Sequence, residues 1–422
     1  MQKLNPEVTD AGNFYMGISP VELAEKYGSP LYVYNENILR ERCREMKSLI
    51  DYKNFKVNYS AKANSNVHLL KIIREEGLDI DAMSPGEILA ELKAGFKPEQ
   101  IFFISNNVSA WEMKFAVERN IKISVDSLSQ LELYGKTNPG GKVAVRINPG
   151  VGAGHHKSVI TGGSDTKFGI NVEYLPQIME ILKKYNLSID GINTHIGSLF
   201  MEGSPYIKAA ETVLAFAKNF DDLDFADFGG GYGIPYRKQE GEARLDLKEM
   251  GARLSALVHK FVAEYGKEIA VKIEPGRYIT AECGVALGTV HAVKHNGAAK
   301  YAGTDIGFNA LARPVMYDAY HEIEVYRGSD KKSEKDEVIT IVGNICETGD
   351  VLAKDRKLPQ IFEEDIIGVL DAGAYGFVMS SSYNQRPRAA EVLICADGSV
   401  KVIREREKLE DLHSYSETTV KQ

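Results

Sequence analysis

Short apolar runs rich in β-forming residues recur through the first two thirds of the 422-residue chain, with amphipathic stretches between most of them. The helical stretch 67–76 ends before Gly77 and the stretch 86–94 before Gly95, and a glycine in that place commonly terminates a helix. Strands that alternate with helices and are apolar along their length are typical of a parallel sheet buried on both faces. The predicted strands are residues 55–60, 78–83, 100–105, 121–126, 142–148, 189–197, 225–229 and 268–274.

Eight strand–helix units are the number found in a TIM (β/α)8 barrel, which we predict for residues 30–283. An open doubly wound sheet is the less favoured alternative. In such a barrel the active site lies at the C-terminal ends of the strands. Polar side chains and glycines lie at or near those ends, namely Lys62, Asp81, Asn106, Asp126, Arg146, His195, residues 229–231 and Glu274.

After about residue 284 the pattern changes, because short β-prone runs follow one another with turns and few helical stretches between them. The final run, EVLICADGSVKVIRE, predicts a hairpin that turns at Asp397-Gly398. The apolar segment 28–34 is predicted to be a strand of this second domain. The chain is therefore predicted to be an α/β protein with a barrel at 30–283 and an all-β, β-barrel-like domain formed by residues 1–29 and 284–422.

Composition and charge narrow the range of partners. The chain has 51 basic and 59 acidic residues, and its net charge of −8 argues against a nucleic acid or an anionic membrane as partner. No apolar run approaches the roughly 20 residues that span a bilayer, and the N-terminus lacks the apolar region of a signal peptide, so we expect a cytoplasmic location. The four cysteines have no metal-ligand spacing, which predicts no metal site and fits a reducing compartment.

Four motifs carry candidate chemistry, although each alone is weak. The three glycines in DFGGGYGIPY expose backbone N–H groups after a strand and suit a phosphate, while a tight turn would also explain them. Lys62 in YSAKAN is a candidate Schiff-base lysine at the barrel mouth, or else a surface charge. Glu274 in EPGR ends the eighth strand, and His195 in NTHIGSL could stack on a planar ring or simply stabilise a turn.

Taken together, the motifs favour one cofactor, pyridoxal 5'-phosphate. It offers an aldehyde to a lysine, a phosphate to the glycines and a ring nitrogen to a carboxylate. A carboxylate such as Glu274 beside the ring nitrogen would favour the protonated ring, and a protonated ring is the electron sink that decarboxylation needs.

The motif set resembles the fold-type III, pyridoxal-phosphate-dependent decarboxylases of the alanine-racemase-like barrel superfamily, and within them the diaminopimelate decarboxylase family. The resemblance covers nearly the whole chain. Small departures at Ser84-Pro85-Gly86, Thr194 and Ala389 remove no reactive group. The matching motifs are YSAKAN, DIDAMSPGE, TKFGI, THIGS, FGGGYGIPY, EPGR, RPVMYDAYH, GNICETGD and GAYGFVMSSSYNQRPRAAEV.

This resemblance implies a role for each matching residue around the cofactor. Lys62 would carry the cofactor, Glu274 would pair with the ring nitrogen and His195 would stack on the ring. Asp81 and Arg146 would support the ring. The phosphate would be held by Ser198, the backbone of Gly230 and Gly231, the turn of Gly276 and Arg277, and Tyr375.

The resemblance also implies a substrate site and an assembly. Cys346 would supply the proton that replaces carbon dioxide, with a small buried hydrophobic cysteine as the plain alternative. A head-to-tail homodimer would share its active sites, because the loop of Cys346 and Glu347 would complete the site of the neighbouring subunit. The distal end of an amino-acid substrate would be bound by Arg277, Arg313, Tyr317, Glu347 and Tyr375.

The implied activity is decarboxylation of meso-2,6-diaminopimelate to L-lysine and carbon dioxide, the last step of lysine biosynthesis. Ornithine, arginine or carboxynorspermidine are alternative substrates within the same fold. A racemase is disfavoured, because racemases of this superfamily place an arginine at the ring nitrogen where this chain has Glu274. A non-catalytic regulatory homologue is also disfavoured, because the chain retains Lys62, His195, Glu274 and Cys346.

Overall fold

A computed structural model describes residues 14–104, 106–150, 152, 166–328 and 335–414. The chain divides into two compact units. The first unit, called the sheet unit here, contains residues 1–39, 236–243 and 280–422. The second, the barrel unit, contains residues 40–235 and 244–279.

The strands of the described residues are β1 Leu31–Asn35, β2 Phe55–Ser60, β3 Asp79–Ala82, β4 Ile101–Ile104, β5 Lys122–Val125, β6 Lys142–Asn148, β7 Ile170–Asn171, β8 Ser188–Asn193, β9 Phe225–Asp227, β10 Ala270–Ile273, β11 Gly284–Asn296, β12 Ala299–Thr304, β13 Ile323–Tyr326, β14 Asp336–Val342, β15 Val351–Pro359, β16 Ile366–Val369, β17 Ala390–Ile394 and β18 Val400–Arg404.

The α-helices are α1 Pro20–Tyr27, α2 Glu36–Lys47, α3 Val67–Glu75, α4 Pro85–Ala94, α5 Ala110–Val117, α6 Leu128–Thr137, α7 Leu175–Tyr185, α8 Ser204–Ala217, α9 Leu247–Tyr265, α10 Arg277–Thr280 and α11 Arg313–Tyr317.

The barrel unit contains a closed ring of eight parallel strands, which confirms the predicted fold class. The strand order is β5-β4-β3-β2-β10-β9-β8-β6, and pairing of β5 with β6 closes the ring. The strands are apolar along most of their length because helices follow nearly all of them and cover the outer face. The rings of Phe102 and Phe225 pack edge to face with centroids 5.1 Å apart, within a small apolar cluster.

Local sequence signals set the ends of the barrel helices. The Ser84 side chain caps the first turn of α4, and Gly95 ends that helix with a φ of 92° that glycine adopts without strain. Asp246 caps α9 in the same way by accepting from the backbone N–H of Glu249. These signals fix the ends of helices that connect consecutive strands of the ring, and the C-terminal ends of the strands meet at one edge of the barrel.

The sheet unit is built around one path of strands, β15-β14-β12-β11-β1-β17-β18, with β13 and β16 joined to it through β11. The N-terminal strand β1 lies inside this path, antiparallel to β11 and parallel to β17. The predicted participation of the N-terminal segment is therefore observed. The predicted hairpin at Asp397-Gly398 is formed by β17 and β18, and Gly398 has a φ of 82° in the turn.

The chain passes between the units at positions that follow from the pairing of β1. Because β1 belongs to the sheet unit, the first crossing falls between residues 39 and 40, and the later one between 279 and 280. A short segment, residues 236–243, also belongs to the sheet unit, although barrel sequence surrounds it. Within the described residues, no helix is both long and apolar enough to span a membrane.

Candidate active site

Lys62 lies in a single 3-10 turn, Ala61–Ala63, that directly follows β2 in the barrel unit. Its Nζ is 3.4 Å from the hydroxyl oxygen of Ser60 and 4.0 Å from Oδ1 of Asp81. The Ser60 hydroxyl donates to Oδ2 of Asp81 at 2.6 Å. The lysine is partly exposed, with 29 % of its side chain accessible, so its amine can meet a small molecule.

Asp81 lies within β3 and is fully buried. Burial raises the pKa of Asp81, and the charge of Lys62 and the hydrogen bond from Ser60 oppose that rise. Two further acids lie on α4. Glu87 accepts the backbone N–H of Met83 at 2.6 Å, and burial raises the pKa of the fully buried Glu91 to about 9. Asp81, Glu87 and Glu91 therefore form an acidic cluster, in which burial, helped by Asp81, raises the pKa of the other two.

The run of three glycines after β9 is required because backbone atoms of neighbouring segments come very close to these positions. A Cβ at Gly229 would lie 2.2 Å from the carbonyl oxygen of Thr194, and one at Gly230 would lie 1.9 Å from that of Glu274. At Gly231, which has a φ of 108°, a Cβ would lie 2.4 Å from the carbonyl oxygen of Gly197. Any side chain at these positions would push the neighbouring strand ends apart.

His195 follows β8 by two residues and is fixed by this glycine run. The backbone N–H of Gly230 donates to Nδ1 of His195 at 3.1 Å, so that nitrogen is unprotonated. Burial, together with the charges of Lys62 and Arg146, holds the pKa of His195 well below its usual range. The ring is therefore neutral near pH 7, as a ring that stacks on a flat cofactor should be. The N–H of Gly230, predicted to contact a phosphate, is here engaged with His195.

Glu274 directly follows β10 and is 2 % exposed. Its carboxyl group interacts electrostatically with that of the buried Asp227, and two neighbouring buried carboxyl groups oppose each other's ionisation. Burial and the charges of Asp227 and Asp81 raise the pKa of Glu274 well above its usual range, whereas burial raises that of Asp227 to about 6. Burial and the two neighbouring acids therefore favour the protonated form of Glu274, and the charges of Lys62 and Arg146 oppose that effect.

Arg146, in β6, is the cation of the same strand-end cluster. Its Nη2 is 3.4 Å from the carbonyl oxygen of His195, and its guanidinium lies 4.8 Å from the ring centre of Phe168. Burial lowers the pKa of Arg146, while Glu274 and Asp126 oppose that change. An arginine remains charged despite such a shift, so Arg146 offsets part of the surrounding negative charge.

Ser198, Gly276 and Arg277 form a second group at the barrel edge. Arg277 is 6 % exposed, and its Nη2 donates to the Ser198 hydroxyl oxygen at 2.9 Å. Gly276 lets the turn pack against the Lys62 turn, because a Cβ there would lie 3.0 Å from the Cβ atoms of Ser60 and Ala63. The turn thus brings a guanidinium, a hydroxyl and the lysine segment together.

These groups fit pyridoxal phosphate. The amine of Lys62 is accessible, while Oε1 of the buried Glu274 and Oδ1 of Asp81 accept no hydrogen bond from an N–H or O–H group among the described residues. A buried acceptor without a donor is costly, so a bound group that carries a proton on a ring nitrogen would satisfy Glu274.

The remaining predicted residues lie in the sheet unit. Arg313 begins α11 and is 1 % exposed, and its Nη1 donates to the Tyr236 hydroxyl at 2.6 Å. Tyr317 ends the same short helix and is half-buried. Tyr375 is half-buried in the turn after β16 and has a φ of 56°, a conformation unusual for a tyrosine.

Cys346 and Glu347 lie in an exposed loop between β14 and β15. The buried Asp350 holds the loop, because its carboxylate accepts the backbone N–H of Ile345 at 2.8 Å. Tyr383 donates to Oε1 of Glu347 at 2.6 Å. The exposure of Cys346 excludes the alternative that it is a small buried core residue.

Comparison with known proteins identifies the family to which the chain belongs. Residues 36–281 match the family model described as the pyridoxal binding domain of pyridoxal-dependent decarboxylases. Diaminopimelate decarboxylase of Methanothermobacter thermautotrophicus is 42% identical over 96% of this chain and 96% of that protein. The chain belongs to the diaminopimelate decarboxylase family. Its cofactor is accordingly pyridoxal phosphate.

Solved structures of the family share the fold. Diaminopimelate decarboxylase of Helicobacter pylori, complexed with L-lysine, superposes with a TM-score of 0.85 at 31% identity, covering 94% of this chain and 98% of that one. The lysine/ornithine decarboxylase of Vibrio vulnificus, complexed with putrescine, has a TM-score of 0.77 at 20% identity, covering 93% of this chain and 100% of that one, which shows the fold alone.

Sequence reasoning missed several residues of the site. Ser60 joins Lys62 to Asp81, and the charge of Asp227 helps to raise the pKa of Glu274. Glu91 adds a buried acid, and Tyr236 contacts Arg313. Ser60, Asp227 and Tyr236 stand inside motifs already singled out, so a systematic examination of every polar residue in those motifs could have found them. Glu91 had no such signal, because its helix pattern looked ordinary.

Proposed function

We propose that this protein catalyses the decarboxylation of meso-2,6-diaminopimelate to L-lysine and carbon dioxide. The observation that carries the proposal is the cluster of Lys62, Asp81, His195 and Glu274 at the barrel edge, in a chain of the diaminopimelate decarboxylase family. Within this cluster the Nδ1 of His195 lies 3.8 Å from Oε2 of Glu274. The carboxyl group of Glu274, the neutral imidazole ring of His195 and the amine of Lys62 together suit a flat, phosphorylated aldehyde.

The bound cofactor supplies an aldehyde for an amine and a ring that accepts the electrons left when carbon dioxide departs. Lys62 would hold the cofactor through its Nζ. Glu274 would face the ring nitrogen, and its proton would move to that nitrogen, leaving a carboxylate that favours the protonated ring. His195 would cover one face of the ring as a neutral group, held in place by the N–H of Gly230.

The phosphate would be held by Ser198, by the backbone around Gly231 and Gly276, and by Tyr375. Arg277 stands beside Ser198 and adds positive charge to this end of the site. Asp81, tied to Lys62 through Ser60, and Arg146, behind His195, fix the groups that contact the ring.

The distal end of the substrate carries both a carboxylate and an ammonium group, so it requires groups of both signs. Arginines bind the carboxylate in a geometry that suits their planar fork, and an acid binds the ammonium. We assign the binding of this distal end to Arg277, Arg313, Tyr317, Glu347 and Tyr375. The thiol of Cys346 delivers the proton that takes the place of the lost carboxylate.

The assembly we propose is a two-fold homodimer in the cytoplasm, in which the Cys346 loop of one subunit completes the site of the other. Support comes from the exposure of Cys346 and Glu347, since a proton donor and a substrate-binding acid need a covered site in which to act. A two-fold interface forms two equivalent sites at once.

The proposal is tested by incubating the purified holoenzyme with meso-, LL- and DD-diaminopimelate, L-lysine, L-ornithine and L-arginine, and measuring released carbon dioxide. We expect release from meso-diaminopimelate alone, with the Lys62→Ala variant as an inactive control that lacks the visible absorbance of bound cofactor. Release mainly from ornithine or arginine would contradict the proposed substrate. Carbon dioxide release by Lys62→Ala at the wild-type rate would contradict the proposed role of Lys62.

A further inference from the structure

Tyr236 makes a buried contact with Arg313 that neither the motifs nor the family comparison assigns to a function. The Arg313 guanidinium donates to the Tyr236 hydroxyl at 2.6 Å and lies 4.9 Å from the centre of its ring. Tyr236 is 5 % exposed and Arg313 is 1 % exposed. A guanidinium this deeply buried is expected to hold one orientation, because its donors must be satisfied inside the protein.

The segment that carries Tyr236 is itself fixed. Two residues later, the Nζ of Lys238 lies 2.9 Å from a carboxylate oxygen of Glu282 and 2.8 Å from one of Asp371. All three side chains are at most 4 % exposed. Removing one member of such a group would leave a buried charge, so the segment 236–243 has one strongly preferred position in the sheet unit.

Tyr236 is also fixed from a second direction. Its ring packs edge to face on His321, with ring centres 5.3 Å apart, and Nδ1 of His321 donates to the carbonyl oxygen of Leu370 at 2.7 Å. The hydroxyl therefore comes from a rigid support, and Arg313 lies at the first turn of a helix only five residues long. A helix this short has few hydrogen bonds of its own to hold it in place. The hydrogen bond to the Tyr236 hydroxyl therefore helps to fix the orientation of the Arg313 guanidinium.

We propose that Tyr236 is a positioning residue that orients the Arg313 guanidinium for the distal carboxylate of the substrate. This inference rests on the proposed function, because it takes Arg313 as the group that binds that carboxylate. Tyr236 selects ligands that have a carboxylate at the distal end, and it acts through Arg313.

The test uses the Tyr236→Phe holoenzyme, which loses only the hydroxyl. The probes are meso-diaminopimelate as substrate, and L-lysine and cadaverine as ligands measured through the change in cofactor absorbance. L-lysine has the distal carboxylate and cadaverine has the same carbon chain without one. We expect KM to rise about tenfold with kcat nearly unchanged, and the affinity for L-lysine to fall about tenfold while that for cadaverine stays the same.

The matched control is Tyr320→Phe. Tyr320 also accepts an arginine hydrogen bond in the sheet unit, from Nη2 of Arg356 at 2.5 Å, but it belongs to no predicted substrate site. This control should leave the preference for L-lysine over cadaverine unchanged. Equal losses of affinity for both ligands in Tyr236→Phe would overturn the proposal, because they would indicate a general packing effect.

A second measurement distinguishes an effect through Arg313 from an independent effect of Tyr236. In an Arg313→Lys background, the further change Tyr236→Phe should not alter the preference for L-lysine, because the guanidinium that the hydroxyl orients is gone. A full additional loss in the double variant would show that Tyr236 acts independently of Arg313. If the wild type releases no carbon dioxide from meso-diaminopimelate, the proposed function fails. If the wild type is active but the preference is unchanged in Tyr236→Phe, only the positioning role fails.

Discussion

The barrel edge and the loop between β14 and β15 both carry predicted catalytic residues, yet their surroundings differ. At the barrel edge, Asp81 and Glu274 are buried and their neighbours within the barrel unit fix Lys62 and His195. In the loop, Cys346 and Glu347 are exposed, and their contacts are with polar residues of the same surface.

The two regions differ in how far the surrounding protein of the same subunit encloses their reactive groups. The barrel edge surrounds its ionisable groups with protein, so their pKa values are strongly shifted and their geometry is preorganised. The exposed loop provides reactive groups but no enclosure, and proton delivery to a carbon needs water to be excluded. We therefore expect substitutions at the barrel edge to act within one subunit and those in the loop to act across subunits.

The largest expected effect is at Glu274, where a neutral group would replace the proposed partner of the ring nitrogen. Glu274→Gln should keep the bound cofactor and its visible absorbance but lower kcat about 10² to 10³-fold, since one preorganised charge is lost. Steady-state kinetics and an absorbance spectrum measure both quantities. Near-normal turnover would show that Glu274 does not promote the reaction by keeping the ring nitrogen of the cofactor protonated.

A smaller effect is expected at Ser60, the hydroxyl that connects Lys62 with Asp81. Ser60→Ala leaves a buried acceptor of Asp81 without its donor, and we expect kcat/KM to fall about tenfold with a modest loss of stability. Ser124→Ala is the matched control, because its hydroxyl also donates at 2.6 Å inside the barrel, to Asn193 rather than to Asp81. Equal activity losses in the two variants would mean that Ser60 acts only through stability.

The comparison between the two regions is tested most directly by mixing inactive variants. Lys62→Ala and Cys346→Ala subunits, allowed to exchange, should recover about a quarter of wild-type activity, because half of the dimers are mixed and each has one intact site. Lys62→Ala mixed with Glu274→Gln should not exceed the residual activity of Glu274→Gln alone, since both changes lie in the barrel unit. If the first mixture also stays inactive after demonstrated exchange, each site is built from one chain.

The smallest effect on activity is expected at Glu91, whose pKa burial raises to about 9 from its usual 4.5. Between these values the unfolded chain has released the proton that the folded chain keeps, so unfolding becomes easier by up to about 1.4 kcal/mol for each rise of one pH unit. Glu91→Gln should therefore be more stable than wild type at pH 8, and the difference should shrink towards pH 4.5.

Urea unfolding at several pH values measures the difference in the free energy of unfolding between Glu91→Gln and wild type. Glu180→Gln, on the exposed side of α7, is the control, and its difference from wild type should not change with pH in this way. A difference that stays constant from pH 4.5 to pH 8 would show that Glu91 is ionised in the folded protein or in contact with water.

The sequence by itself determined the eight-stranded barrel, the separate sheet domain and the barrel-edge motifs, because each depends on local periodicity or on a residue type with one dominant use. Apolar runs alternating with amphipathic helices require a buried parallel sheet, and three consecutive glycines indicate a close backbone approach. Lys62, His195 and Glu274 follow their strands by at most two residues, so their convergence at one edge followed from the barrel itself.

Only the tertiary structure decided which side chains fix those groups. Segment 236–243 belongs to the sheet unit because Lys238 pairs with Glu282 and Asp371, which lie 44 and 133 residues further along the chain. The Asp227–Glu274 pair and the Tyr236–Arg313 contact likewise join residues far apart in sequence. No local pattern encodes such pairs, because they depend on three-dimensional packing and on the cost of leaving a buried charge or donor unsatisfied.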